Sequence, residues 1–304
     1  MKMRFLTFLL VFALSFCAFA CKDTADNPPQ TPPQPQSTLS PEQIYETNVS
    51  YVAEVQCGNE VGSGVVISSD GTQAIVLTCY HIAENFGGIR VKFYGANDYV
   101  EDVEFVAYDE LFDVAFLRVN TTMFPSFQVN GATQLEKVGA TTYAIGNALG
   151  EELTFTSGIM SVQEQIVKIS DLTYTTLFFR ATTPFTKGMS GGGIYNKDAQ
   201  LIGMVCARHT QSYEINYGLS YSIINALYSR LDEAKTNRLI PHASIEFSKN
   251  TISVDGKTFV KNSDGVICSS DTAITAINAV PLTDIKSFTQ MCSIILQTPS
   301  VSFA

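Results

Sequence analysis

Three short segments of this chain carry side chains suited to acyl transfer. The first is Lys187-Gly188-Met189-Ser190-Gly191-Gly192-Gly193. A serine hydroxyl is a weak nucleophile and needs a neighbouring base. Glycines on both sides of Ser190 permit a tight turn with exposed N–H groups. In a Gly-x-Ser-Gly-Gly turn, the N–H groups of Gly188 and Ser190 can converge on one point, the place for a developing oxyanion. Alone, the segment also reads as a glycine-rich hairpin loop.

The second segment is Val76-Leu77-Thr78-Cys79-Tyr80-His81. His81 is expected to end an apolar strand. A lone histidine in such a place is usually structural. Here a hairpin leads to it, from the Gly62–Ser68 strand through the Asp70-Gly71 turn. The third segment is Asp109-Glu110-Leu111-Phe112-Asp113-Val114-Ala115-Phe116-Leu117. Asp113 opens an apolar strand, where a carboxylate is costly unless paired. An imidazole N–H is a suitable partner. Asp109 competes for that role, but it lies further from the apolar run and reads as a turn residue.

The elements that must position these groups are mostly strands. From Ile44 to about Tyr221, short runs rich in Val, Ile, Thr, Tyr and Phe alternate with Gly, Asn and Asp clusters. They include Tyr51–Val55, Gly64–Ser68, Ala74–Leu77, Ile89–Tyr94, Val103–Val106, Ala115–Val119, Thr141–Ile145 and Leu201–Cys206. Regular short spacing of strands predicts a sandwich or barrels. The period changes at Ser222 to Lys235. Ile224, Leu227 and Leu231 then share one helical face, with Ser222 as its cap.

The order His, Asp, Ser is that of the chymotrypsin plan. Five pieces stand in that order: Gly62–Ile67, Leu77–His81, Asp113–Leu117, Ala144-Ile145-Gly146-Asn147, and Gly188-Met189-Ser190-Gly191-Gly192. Together with Tyr217–Ile223, they resemble the trypsin-like serine proteases, most closely the HtrA type. The resemblance covers roughly Ile44 to Lys235. It implies an all-β fold of two six-stranded antiparallel β-barrels, closed by a helix, with the site in the cleft between them. His81 and Asp113 would come from the first barrel and Ser190 from the second. Ser190 would attack a peptide carbonyl, with His81 as general base. Asp113 would orient His81, and the Gly188 and Ser190 N–H groups would hold the oxyanion. Polypeptides would be the substrates, and no metal or cofactor is required. Relatives of this type are commonly trimeric; nothing in this sequence marks a trimer.

The chain departs from the pattern at Met189, where relatives carry Asn or Asp. An Asp there pairs with a new N-terminus in digestive relatives, and Met189 cannot. No activation of that kind is expected. Pro184 stands six before Ser190, where an acidic residue would select Lys or Arg. Val205 stands where glutamyl-specific relatives use histidine. A small or medium apolar preference is expected. Arg208 and His209 read as solvated surface, with recognition of an acidic substrate group as the alternative.

The first twenty residues read as a signal peptide: Lys2 and Arg4, then an apolar run to Ala20. The run is short for a membrane span, which needs roughly 20 residues. Ala18-Phe19-Ala20-Cys21 resembles a lipobox, which makes Cys21 the lipidation site and anchors an exported domain to a membrane. Ala18 replaces the usual Leu, which leaves ordinary cleavage at Ala20 and secretion as the alternative. Residues 21–41 are polar and proline-rich and read as a tether. The net charge of -10 argues against a nucleic-acid partner.

Five of the seven cysteines lie outside the signal and anchor: Cys57, Cys79, Cys206, Cys268 and Cys292. Pairs Cys57–Cys79 and Cys268–Cys292 compete with buried free thiols. Residues 42–236 are assigned to the protease domain. Residues 240–304 are expected to form a small α+β appendage. Within it, Asp271–Leu282 resembles the centre of a PDZ domain, with Asp284–Leu296 as a helix and Val301–Phe303 as a last strand. Ala279 stands where a glycine is usual, and no carboxylate-binding loop precedes the segment. A plain β appendage packed on the second barrel is the alternative. Two functions compete: a serine endopeptidase, and a catalytically weak protease fold that serves as a tethered peptide-binding module.

Overall fold

The computed structural model describes residues 39–168, 175–234 and 236–304. The signal, Cys21 and all but the end of the tether lie outside these. The described chain opens with a helix, α1 (Pro41–Asn48), where a strand pattern was expected to begin. Its start is a capping box: Ser40 Oγ accepts from Gln43 N, and Gln43 Oε1 accepts from Ser40 N. Pro41 sits in the first turn, where its missing N–H costs nothing.

The first half of the β region is one curled sheet. Its strands are β1 (Val52–Cys57), β2 (Glu60–Ser69), β3 (Gln73–Cys79), β4 (Ile89–Phe93), β5 (Val103–Asp109), β6 (Val114–Asn120) and β7 (Phe127–Gln128). The order is β4-β1-β2-β3-β6-β5, and β7 pairs with β2. The sheet curls without a hydrogen-bonded seam between β4 and β5 among the described residues. The second half does close. Strands β8 (Thr141–Ala148), β9 (Glu152–Lys168), β10 (Thr175–Ala181), β11 (Gly193–Tyr195), β12 (Leu201–Arg208) and β13 (Asn216–Ser220) form a six-stranded barrel. All these pairings are antiparallel. Closure leaves the second barrel with no exposed edge.

Inward residues of the first sheet, among them Val55, Val66, Leu77, Val91 and Leu117, are fully buried. A smaller core under the second barrel gathers Ala144, Met160, Phe179, Met189, Ile194 and Ile202. Helix α3 (Tyr221–Tyr228) follows β13 and is shorter than the sequence pattern implies. Ser220, not Ser222, is its N-cap. Ser229 Oγ turns back to the Ala226 carbonyl at its end, and a short 3-10 turn, Leu231–Glu233, carries the last apolar residue of the pattern.

The remaining chain is a four-stranded meander, β14 (Ile245–Ser248), β15 (Thr251–Val254), β16 (Lys257–Lys261) and β17 (Ile267–Ser269), then a small hairpin, a 3-10 turn (Leu282–Asp284) and one longer helix. The hairpin pairs Ala276–Ile277 with Val280–Pro281. Its turn residues Asn278 and Ala279 both have positive φ, 47° and 63°, so an alanine occupies a backbone state that favours glycine. Ile277 also bridges to Phe303. The longer helix, Phe288–Ile295, packs on α3 and β9: Ser293 Oγ donates to the Ser222 carbonyl at 3.2 Å, and Thr289 N donates to Glu164 at 3.0 Å. All five described cysteines are free. Strand β2 lies between β1 and β3, which keeps Cys57 and Cys79 apart.

Candidate active site

Strand β3 ends at Cys79, and His81 sits in a one-turn helix, α2 (Tyr80–Ala83), rather than on the strand itself. Asp113 precedes β6 at the tip of the β5–β6 hairpin. Two bonds bring them together. His81 Nδ1 lies 2.8 Å from Asp113 Oδ2, and the His81 backbone N–H donates to Asp113 Oδ1 at 2.9 Å. The Asp113 carbonyl accepts from Tyr80 N at 3.1 Å. Asp113 has φ 55°, a left-handed conformation that Asp tolerates better than most residues. The carboxylate is wholly buried, while the His81 side chain keeps 28% of its surface exposed. The ring is therefore reachable from outside while its partner is shielded. Burial of the ring works to lower its pKa. The Asp113 charge and hydrogen bond, with Glu84 and Glu60, outweigh this and hold it above the ordinary histidine value.

Asp109 is not a turn residue. It ends β5, is fully buried, and accepts from Phe112 N at 3.0 Å. It does not meet His81; its carboxylate lies 2.9 Å from His242 Nε2.

Ser190 stands on the loop between β10 and β11, held by bonds to both halves of the molecule. Its carbonyl accepts from Ser63 N at 2.7 Å, across to β2. Gly191 N donates to the Val205 carbonyl at 2.8 Å, and Cys79 Sγ donates to the same carbonyl at 3.3 Å. The strand that leads to His81 and the loop that carries Ser190 thus share one acceptor on β12. Ser190 Oγ points at the Cys206 carbonyl, 3.4 Å away, and makes no hydrogen bond to His81 among the described residues. Nucleophile–base bonds are often long before substrate arrives.

Gly188 has φ 92°, and a Cβ there would lie 2.4 Å from the Asn147 carbonyl. Only glycine fits. Neither the Gly188 nor the Ser190 N–H donates to another described residue, so both are available to an oxyanion. Met189 between them is fully buried in the second core, with its sulfur 3.4 Å from Thr186 N. The residue that breaks the expected pattern thus anchors the loop by apolar burial. Nearby, Phe185 is buried, and Pro184, Thr186 and Lys187 are exposed.

One residue of the site was not singled out by sequence: Ser63. Its hydroxyl donates to the Gly188 carbonyl and accepts from Asn147 N, both at 2.7 Å. Its own carbonyl accepts from Thr78 Oγ1 at 2.8 Å. The available signal was the Gly62-Ser63-Gly64 run, which places a small hydroxyl where two backbones meet. Cys79, His81 and Asp113 lie close enough together to share an ion. However, the thiol donates to Val205, and burial first, then Cys206 and Asp113, push its pKa well up. His81 Nδ1 and Asp113 are already paired. That donor set suits an oriented imidazole base better than a metal.

Residues 62–204 match the family of the trypsin-like peptidase domain. The chain is 29% identical over 147 residues to a "Probable periplasmic serine endoprotease DegP-like" of Chlamydia muridarum, covering 47% of this chain and 27% of that protein. It is 28% identical over 166 residues to "Serine endoprotease DegS" of Haemophilus influenzae, covering 54% and 47%. The chain therefore spans less than half the length of these relatives. A serine endoprotease from Yersinia pestis shares the fold, with a TM-score of 0.58 at 20% identity over 86% of this chain and 90% of that one.

Proposed function

We propose, from a chain that carries a trypsin-like peptidase domain of the HtrA type, that this protein is a serine endopeptidase with His81, Asp113 and Ser190 as its triad. One observation carries the reading: a partly exposed imidazole tied by two bonds to a buried carboxylate, beside a loop whose Gly188 and Ser190 N–H groups donate to no other described residue. Ser190 Oγ attacks a peptide carbonyl, and its proton passes to His81 Nε2. The tetrahedral oxyanion rests on the Gly188 and Ser190 N–H groups. His81 then protonates the leaving amine, which frees an acyl-enzyme for attack by water. Asp113 holds the ring's tautomer and supports its positive charge.

The substrates on this reading are exported or misfolded polypeptides. The protease domain spans residues 42–236 and follows a signal, a lipidated Cys21 and a tether. Residues 240–304 form a small module, PDZ-like in its hairpin and helix, that docks on the second barrel. The names of periplasmic relatives favour export. A second reading has one observation behind it. Ser190 Oγ is turned to the Cys206 carbonyl, as it would be in a catalytically weak, peptide-binding protease fold.

A fluorophosphonate probe and unfolded casein separate the two, with Ser190→Ala as control. Labelling and cleavage by the parent alone establish the peptidase. A well-folded parent that does neither leaves the binding module.

A further inference from the structure

A second histidine–aspartate pair stands behind the first. Asp109 and Asp113 bracket one hairpin tip: Asp109 faces Val114 across β5 and β6, its Oδ1 accepts from Phe112 N, and Asp113 N donates to the Glu110 carbonyl at 3.2 Å. The geometry of Asp109 therefore fixes where Asp113 presents its carboxylate. Among the described residues Asp109 Oδ2 is buried and accepts no aligned hydrogen bond, and its close partner there is His242 Nε2 at 2.9 Å. His242 comes from the segment that leads out of the peptidase half. That segment runs beside β5 in parallel, with Tyr108 N donating to the Arg238 carbonyl at 2.9 Å and Ile240 N to the Tyr108 carbonyl at 3.0 Å.

Resting on the peptidase reading, we propose that His242 is a positioning residue, whose imidazolium holds Asp109 and, through the hairpin tip, sets Asp113 against His81. Both ring nitrogens face oxygen: Nε2 faces Asp109, and Nδ1 lies 2.6 Å from the Ala243 carbonyl. A neutral imidazole has one N–H and one lone pair, so only the doubly protonated ring suits both neighbours. The charged groups facing the ring, among the described residues, are Asp109 from β5 and Arg230 from the turn after α3; Glu233 is paired with Arg230. Burial and Arg230 work to lower the ring's pKa. Asp109 and the Ala243 carbonyl raise it, and the net direction is up. The hold is present below that raised value and weakens as pH rises through it. Phe247 of β14 packs edge-on against Phe112, 5.9 Å between centroids, so the C-terminal module touches the same hairpin a second time.

The test uses the full chain and its His242→Ala and His242→Gln variants. Fluorophosphonate labelling rates are measured across pH, together with the titration of the His81 ring protons by NMR. His242→Ala should label about tenfold more slowly, the scale of a small misplacement of a reacting group, and His81 should titrate lower than in the parent. His242→Gln keeps an N–H donor without a titrating charge. It should recover most of the rate and lose the parent's decline at alkaline pH. If His242→Ala labels at the parent's rate and His81 titrates unchanged, the proposal is overturned, whatever happens to thermal stability. A parent that does not label at all refutes the peptidase reading instead, and the His81 titration then decides the positioning role alone.

Discussion

The Ser63 hydroxyl, on β2 of the first sheet, donates to the Gly188 carbonyl of the second barrel at 2.7 Å. The bond joins the two halves at the residue whose N–H is assigned to the oxyanion hole. Ser63→Ala removes it and strands the buried Asn147 N–H, which now donates to the same oxygen. An unpaired buried donor costs about 1–3 kcal/mol. The expected outcome is a lower melting temperature and a fall in kcat of about tenfold to a hundredfold, with KM nearly unchanged. Peptide hydrolysis at saturating substrate measures it.

The pH dependence follows from His81. The ring must be neutral to take a proton, and its pKa is held above the ordinary value by Asp113. Activity should therefore rise with pH through an ionisation above about 6.5. The same shift contributes stability that is present at low pH and lost as pH rises through the folded-state value. In Asp113→Asn the support is gone and burial remains, so the titration should move down. The rate should fall by about 10⁴. Rate profiles of the two proteins check both statements.

Gly188→Ala should fold poorly or lose the site. The new methyl would meet the Asn147 carbonyl at 2.4 Å in a backbone state with φ 92°. Loss of fluorophosphonate labelling in a protein with native circular dichroism would locate the damage in the loop.

Met189→Ala tests the anchoring of that loop from below. Emptying a fully buried methionine site costs about 2–5 kcal/mol. Stability by urea denaturation should fall by that amount. Met189→Leu should restore it, since the two side chains are near in volume.

Arg230 reports on the tail. It is almost fully buried and donates to the Leu296 carbonyl at 3.0 Å, to the Pro241 carbonyl, and to Glu233. Arg230→Gln leaves two carbonyls without their donor, at about 1–3 kcal/mol. Amides of the Phe288–Ile295 helix should exchange faster with solvent, while those of the second barrel stay protected.

Much of this molecule was legible in its residues. The strands that carry the site follow alternation and turn chemistry, and the Gly-x-Ser-Gly-Gly run marks a conformation that few other sequences can take. What was missed has physical reasons. Helix α1 begins with a capping box at Ser40 and Gln43, a local signal that stands between a proline-rich polar stretch and the first strand-like run. His81 moved from strand to helix because one turn is needed to bring its backbone N–H onto Asp113. Asp109 looked like a turn residue because its partner, His242, is distant in sequence. Ser63 was invisible as a site residue, since its role exists only where two halves of the fold meet.

Strand β5 is one of the two outer strands of the first sheet, and Arg238 to Ile240 lie along it through Tyr108. An outer strand left bare offers unpaired amides to any other chain. A molecule shortened at residue 236 would bare that stretch of β5 and would be expected to stick to its own copies. The point where composition changes between the two β halves and the tail is thus not a seam along which the protein can be parted. The last residues of the linker are a selvedge, woven in to stop the sheet from fraying into its neighbours.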